Sequence, residues 1–294
     1  MNANLIKMNK TYLTNGKQLS FEKAQVMAII NITPDSFYDG GKFSSVTDII
    51  KDAEMKIHEG ATIIDIGAAS SRPNAMAISV KDEIIRLREP LMKLRKEFPK
   101  IFISIDTYLA DVAEFAIDLG ADIINDISGS QMDKSMLDVV AKHQIVYVLM
   151  HMQGTPQNMQ KNPSYDDVVK DISMFYTSKI EQCKNLGFDK LIMDVGFGFG
   201  KTVEHNYQLL KHLNDFTSFD YPLLVGLSRK SMINKVIHTS PVTALNGTTV
   251  LNTIALQNGA KILRVHDVKE AKQAVDLFEF YKSVDVNNTS SLLQ

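Results

Sequence analysis

Polar residues stand where apolar, β-branched runs end: Asn31, Asp106, Asn125, Asp126, Asp194, Lys230, Arg264 and His266. Any one of them reads equally well as a turn or capping residue. Together, an amide, carboxylates, an ammonium and a guanidinium at one mouth suit a flat polar heterocycle plus an anion. Arg264 and His266 are two apart, so in an extended chain they share a face, and a guanidinium beside an imidazole suits a phosphate or diphosphate. The segment 226–232 (GLSRKSM) reads as a helix start with Ser228 as N-cap. Arg229 and Lys230 would then oppose the helix dipole by roughly 0.3–1 kcal/mol each. Either both reach solvent, or anions and electron-rich ligands collect there.

The glycine-rich run 195–201 (VGFGFGK) fails as a nucleotide loop. Walker A needs glycine where Val195 stands, and a dinucleotide fingerprint begun at Gly196 or Gly198 meets Lys201 or Val203. Its glycines instead let the backbone approach a ligand while Phe197 or Phe199 leans over it. The remaining histidines (His58, His143, His151, His205, His212, His238) form no HExxH-like pair and read mostly as surface or packing residues, so no zinc site is expected. The single cysteine, Cys183, rules out an intramolecular disulfide framework and reads as an inert, partly buried thiol.

The elements that must position these groups alternate along the chain. Strands are expected at 26–31, 62–67, 101–106, 122–126, 145–150, 191–194, 223–226 and 261–265. Most are continuous apolar runs, the mark of parallel strands covered on both faces. Between them lie helical patterns such as Ile84, Leu87, Leu91 and Leu94. Gly60, Gly120, Gly187 and Gly259 sit where a left-handed C-cap would end each helix. Asn15-Gly16 between alternating residues signals a two-residue hairpin, read as a cap over a barrel floor. The fold class expected is α/β: a single (βα)8 TIM barrel over 26–283, with an N-terminal hairpin extension at 1–25 and a polar tail at 284–294. An open doubly wound sheet is the alternative. A net charge of −2 without a basic block argues against nucleic acid or anionic membrane as partners. With neither a signal-peptide core nor a long apolar run, the expected location is the cytoplasm.

Several motifs occur in order: NITPDSFYDGG (31–41), SSRP (70–73), SIDT (104–107), ADIINDISG (121–129), LMHMQGTP (149–156), DVGFGFGK (194–201), GLSRKS (226–231) and RVHDV (264–268). On these, from about Met27 to Val275, the chain resembles the dihydropteroate synthases of the pterin-binding barrel family. That family condenses a hydroxymethyl-dihydropterin diphosphate with 4-aminobenzoate and releases diphosphate. The resemblance implies that Asp106, Asn125, Asp194 and Lys230 hydrogen-bond the pterin, with Met150 and Arg264 packed on its faces. Asn31, Arg264 and His266 would hold the diphosphate, with Mg²⁺ at Asn31. The aminobenzoate would sit among Phe37, Ser71, Arg72, Pro73, Phe199, Ser228 and Lys230. The implied catalytic set is Asp35, Asp106, Asp194 and Lys230, and a homodimer is implied as well.

An aromatic amine is unprotonated at neutral pH, so no strong general base is required. The hard step is breaking the bond to diphosphate. Asp106 and Asp194 would stabilise the positive charge left on the pterin, while Mg²⁺, Arg264 and His266 stabilise the leaving group and the aminobenzoate carboxylate rests on the helix start at Ser228. The chain departs from the family pattern where the usual Gly-Glu-Ser-Thr-Arg-Pro-Gly reads Ala68-Ala69-Ser70-Ser71-Arg72-Pro73-Asn74, and where Val195 replaces a proline. Rival readings are a methyltetrahydrofolate–corrinoid methyltransferase, which has no use for the TPDSF and SSRP loops, a Schiff-base aldolase using Lys230, and a non-catalytic pterin-binding protein.

Overall fold

The structure is a computed structural model that describes residues 10–32, 45–69 and 78–284. Eight strands, all paired in parallel, close into a barrel: β3 (Gln25–Asn31), β4 (Ile63–Gly67), β5 (Phe102–Asp106), β6 (Ile123–Asp126), β7 (Val146–Met150), β8 (Leu191–Asp194), β9 (Leu223–Val225) and β10 (Ala260–Val265), with β10 returning to β3. The barrel is closed, which excludes the open sheet.

Each crossover carries helix: α1 (Val46–His58), α2 (Val80–Glu97), α3 (Ala110–Asp118), α4 (Met136–His143), α5 (Val168–Asn185), α6 (Val203–Lys211), α7 (Ser231–Ile237) and α8 (Leu245–Gln257), with α9 (Val268–Ser283) after the last strand. The apolar stripe of α2 buries Leu87, Leu91 and Leu94 completely in the layer between barrel and helices. Gly60, Gly120, Gly187 and Gly259 all take positive φ just past their helices, as the sequence predicts. Cys183 is buried in the same layer, and burial pushes its thiol up to about 11, which keeps it protonated. Among the described residues no helix is long and apolar enough to cross a membrane.

The hairpin β1 (Thr11–Thr14) and β2 (Lys17–Ser20) turns through Asn15 and Gly16, both with positive φ. It closes the floor of the barrel. Tyr12, Leu19 and Phe21 pack against interior residues such as Met27, Ile123 and Ile192. Asp122 at the foot of β6 fastens the cap by pairing with Lys17 (2.6 Å) and Arg95 (2.5 Å) and by bonding Asn15 (3.0 Å). With the floor filled, only the opposite, C-terminal mouth remains for a ligand.

Candidate active site

The strand register gathers the expected polar groups. Asn31, Gly67, Asp106 and Asn125 pair in sequence across β3, β4, β5 and β6, forming one row on the interior face near the mouth. On the far side, Met150 of β7 pairs with Asp194 of β8. Gly67 keeps the row open: a Cβ there would lie 3.6 Å from the Asn31 side-chain oxygen and 3.7 Å from Asp106 Oδ2.

Asp65 lies two residues deeper on the same face of β4, fully buried. Its Oδ2 accepts from Arg264 Nε (2.7 Å) and Asn125 Nδ2 (3.2 Å), while Oδ1 has no partner among the described residues. Asp106 Oδ2 accepts from Arg264 Nη2 at 2.7 Å. Burial nevertheless pushes Asp106 up to about 7 against the pull of Arg264, and the negative charges of Asp65, Glu83 and Asp126 add to the rise. Glu83 of α2, buried behind this corner with Oε1 unpartnered among the described residues, is itself raised to about 7 by burial.

On the opposite wall, Asp194 Oδ1 accepts from the Gly196 amide at 2.8 Å, and burial raises its carboxyl against the pull of Lys230. Burial lowers Lys230 to about 8. Its ammonium donates to the Phe197 carbonyl and lies 4.8 Å from the centre of the Phe199 ring. Of the two phenylalanines open as ligand contacts, Phe197 is buried in the outer core and Phe199 borders the mouth. Met150 joins Ile127, Met152 and Met159 in a separate apolar cluster with Phe199 and Tyr108 at its edge. That is the wall a flat ring would need.

Three sequence expectations change. Ser228 is not an N-cap: α7 starts at Ser231 with Lys230 in the cap position. The Ser228 hydroxyl instead accepts from the His266 amide (3.3 Å) and lies 3.0 Å from His266 Nδ1. Burial beside Arg264 lowers His266 to about 4, so its imidazole is neutral near pH 7. Arg229 is not in a helical turn either. It takes positive φ and grips Asp267 with two bonds (2.9 and 2.6 Å) and the Pro241 carbonyl (2.6 Å), which commits it to the fold. Asp126 turns away from the mouth to accept from Ser128, Ser130 and Tyr147, the bland reading of a strand-end carboxylate. Asp35, Phe37, Ser71, Arg72 and Pro73 lie outside the described residues.

Asn31 is the residue implied for Mg²⁺. This ion commonly takes one or two protein oxygens and fills its shell with water and substrate phosphate. The Asn31 amide fits that mode: it stands at the open end of the row and makes no hydrogen bond among the described residues. No cluster of three His, Cys, Asp or Glu side chains able to hold an ion occurs among the described residues.

A family model described as pterin binding enzyme matches residues 27–266. The chain belongs to the pterin binding enzyme family. Within that family it is 42% identical over 274 residues to the dihydropteroate synthase of Escherichia coli strain K12, covering 92% of this chain and 96% of that protein. The Haemophilus influenzae dihydropteroate synthase is 43% identical over 267 residues, covering 90% and 96%. Among solved structures, the Yersinia pestis dihydropteroate synthase with a sulfonamide drug superposes with a TM-score of 0.90 at 41% identity, covering 94% of this chain and all of that one. The Xanthomonas albilineans enzyme with 4-aminobenzoic acid gives 0.86 at 35% identity, covering 94% and 99%. Pterin binding enzymes with these names match the described barrel from its floor to its mouth.

Asp65 is the site residue that sequence reading missed. Its one signal is a lone carboxylate inside the apolar run 62–67.

Proposed function

We propose that the chain is a dihydropteroate synthase, transferring the pterin-methyl group from hydroxymethyl-dihydropterin diphosphate to the amine of 4-aminobenzoate. The observation that carries this reading is the presence of two carboxylates, the partly buried Asp106 and the buried Asp194, at a mouth walled by Met150 and Phe199. A pterin edge offers adjacent N–H donors, and each carboxylate accepts two. The Asn125 amide and the Lys230 ammonium would complete the polar rim, and Met150 with Arg264 would cover the ring faces.

In the reaction the bond from the pterin methylene carbon to the diphosphate oxygen breaks, and its electron pair leaves with diphosphate. The amine nitrogen of aminobenzoate bonds to that carbon and loses a proton. Fixed carboxylates beside the pterin stabilise the charge that develops as the bond breaks. Asn31, Arg264 and the His266 imidazole would take the diphosphate. Mg²⁺, held by the Asn31 oxygen, would neutralise charge on that leaving group. Phe199 and Lys230 would border the aminobenzoate with Phe37, Ser71, Arg72 and Pro73. Because α7 begins one residue past Lys230, the carboxylate contact assigned to Ser228 moves to the exposed Ser231.

The test is a coupled assay for diphosphate release with both substrates. Release that requires both, with dihydropteroate as product, is expected. Release without aminobenzoate, or a requirement for cobalamin, overturns the reading. The reading includes the cytoplasm as the place of work and a homodimer as the working form. For the dimer, α9 offers Leu277, Phe280 and Tyr281 as one exposed stripe at helical spacing, with the exposed Val284 just past its end. F280E should convert a dimer to a monomer in sedimentation equilibrium, and a wild-type monomer removes the proposal.

A further inference from the structure

The glycine-rich loop between β8 and α6 is held in an unusual way. Gly196, Gly198 and Gly200 all take positive φ, and the carbonyls of residues 196–200 each accept from a side chain. Lys230 serves Phe197, Gln160 serves Gly198 and Tyr165 serves Gly200. Lys201 serves two at once, Gly196 at 2.9 Å and Phe199 at 3.0 Å. The same ammonium reaches the His151 carbonyl and His151 Nδ1, both at 3.2 Å, so it ties the loop to the segment after β7. Lys201 is 3% exposed. Burial lowers the Lys201 amine to about 7, and a group this deep is tolerated only with its protons satisfied; here four acceptors converge on it. Burial lowers His151 to about 3, so its ring stays neutral and accepts through Nδ1. The fit leaves no room for a side chain at Gly196, where a Cβ would run into the His151 carbonyl oxygen.

We propose that Lys201 is the positioning residue for the aminobenzoate half of the site, acting through the backbone that carries Phe199. The inference rests on the function proposed above and deepens it. Its logic is which contacts hang on the loop and which do not. Asp106, Asn125, Met150 and Arg264 belong to β5, β6, β7 and β10, and Asp194 belongs to β8. Lys230 keeps the attraction of Asp194 when the loop relaxes. The Phe199 backbone is held within the loop: its amide bonds Gly196 and its carbonyl bonds Lys201, while its ring packs at the edge of the Met150 cluster beside Lys230. Loss of the Lys201 ammonium therefore misplaces the ring that borders aminobenzoate and leaves the pterin contacts in place.

The experiment compares wild type, K201M, F199A, the double variant K201M/F199A, and Y165F, which removes only the donor to Gly200. Expected for K201M is a rise of about tenfold in KM for aminobenzoate, with KM for the pterin diphosphate within about threefold of wild type. K201M/F199A should be no worse than F199A, since both changes act through one ring. Hydrogen exchange of the peptide 195–201 in the ligand-free protein should accelerate in K201M and much less in Y165F. Equal losses for both substrates, additive effects in the double variant, or unchanged exchange overturn the proposal. If K201M does not fold, K201Q is held to the same readouts. A wild-type protein that makes no dihydropteroate removes the functional reading, and the exchange measurement then decides by itself whether Lys201 positions the loop.

Discussion

Asp65 and Arg264, 199 residues apart in the chain, meet at the barrel mouth, where one carboxylate oxygen accepts from Nε at 2.7 Å and lies 2.6 Å from Nη2. The same Nη2 reaches Asp106 at 2.7 Å, so the guanidinium is wedged between two carboxylates and its plane is fixed. Nη1 makes no hydrogen bond among the described residues and remains for a ligand. D65N should therefore loosen Arg264 and Asn125 together. Calorimetry should show pterin and diphosphate each binding about tenfold more weakly. D65A should also lower thermal stability markedly, because removing one partner of a buried pair costs ~3–5 kcal/mol. Unchanged ligand affinity in D65N would show that Asp65 serves only the fold.

Asp106 should give the site a pH dependence of opposite sign for binding and for stability. Its folded value of about 7 lies above the ordinary carboxylate range. The folded protein therefore binds this proton more tightly than the unfolded chain does. The stability it contributes is fully present below the unfolded value and is lost as pH rises toward 7. Pterin binding needs the ionised form and should strengthen over the same interval. D106N should show weak pterin binding that no longer rises toward pH 7, with less loss of thermal stability between pH 5 and 7 than wild type. Glu83 titrates in the same window, so the comparison with D106N isolates the Asp106 contribution. D194N should weaken pterin binding as strongly, since an amide replaces one of two acceptors by a donor. Full affinity in both variants would remove the carboxylates from the pocket.

A sulfonamide should compete with aminobenzoate. Phe37 and Ser71-Arg72-Pro73 occur without insertion, and the Yersinia pestis relative is known in complex with a sulfonamide drug. Inhibition kinetics at varied aminobenzoate should give lines meeting on the velocity axis of a reciprocal plot. A pattern that excess aminobenzoate cannot relieve would mean that Ala69, Ser71 and Asn74 have reshaped the pocket.

The barrel was legible because parallel strands covered on both faces have little choice but to be apolar runs. The expected run 223–226 and the observed strand Leu223–Val225 differ by one residue, as do 261–265 and Ala260–Val265. Asp106, Asn125, Asp194 and Arg264 were legible as positions for the converse reason, since a polar residue near the end of such a run reaches the mouth when it falls on the interior face, as the neighbouring Asp126 does not. Asp65 was not, because its role exists only through Arg264, which folding brings across the barrel. Ser228 misled in the same way. Its residue type fits an N-cap, but its hydroxyl is taken by His266 from the neighbouring strand end, and the helix starts later. Arg229 satisfied Asp267 rather than a ligand. Local pattern locates the strand ends, while long-range pairing decides which of their side chains remain available.

Binding should be ordered, with aminobenzoate following the pterin diphosphate. The groups proposed for pterin and diphosphate (Asn31, Asp106, Asn125, Asp194, Arg264, His266) sit on or next to strands of the closed barrel and are fixed before any ligand arrives. Most of the aminobenzoate set (Phe37, Ser71, Arg72, Pro73) instead lies outside the described residues, and only Phe199, Ser228 and Lys230 of that set are described. A ligand as small as aminobenzoate makes few contacts with those three alone. Bound pterin diphosphate would give it a further wall, which is positive coupling between the two sites. Titrating aminobenzoate into the protein alone should give no measurable heat, whereas the same titration with Mg²⁺, diphosphate and a pterin analogue present should saturate. Equal affinity in the two titrations would mean that the aminobenzoate pocket is already formed and that the substrates bind independently.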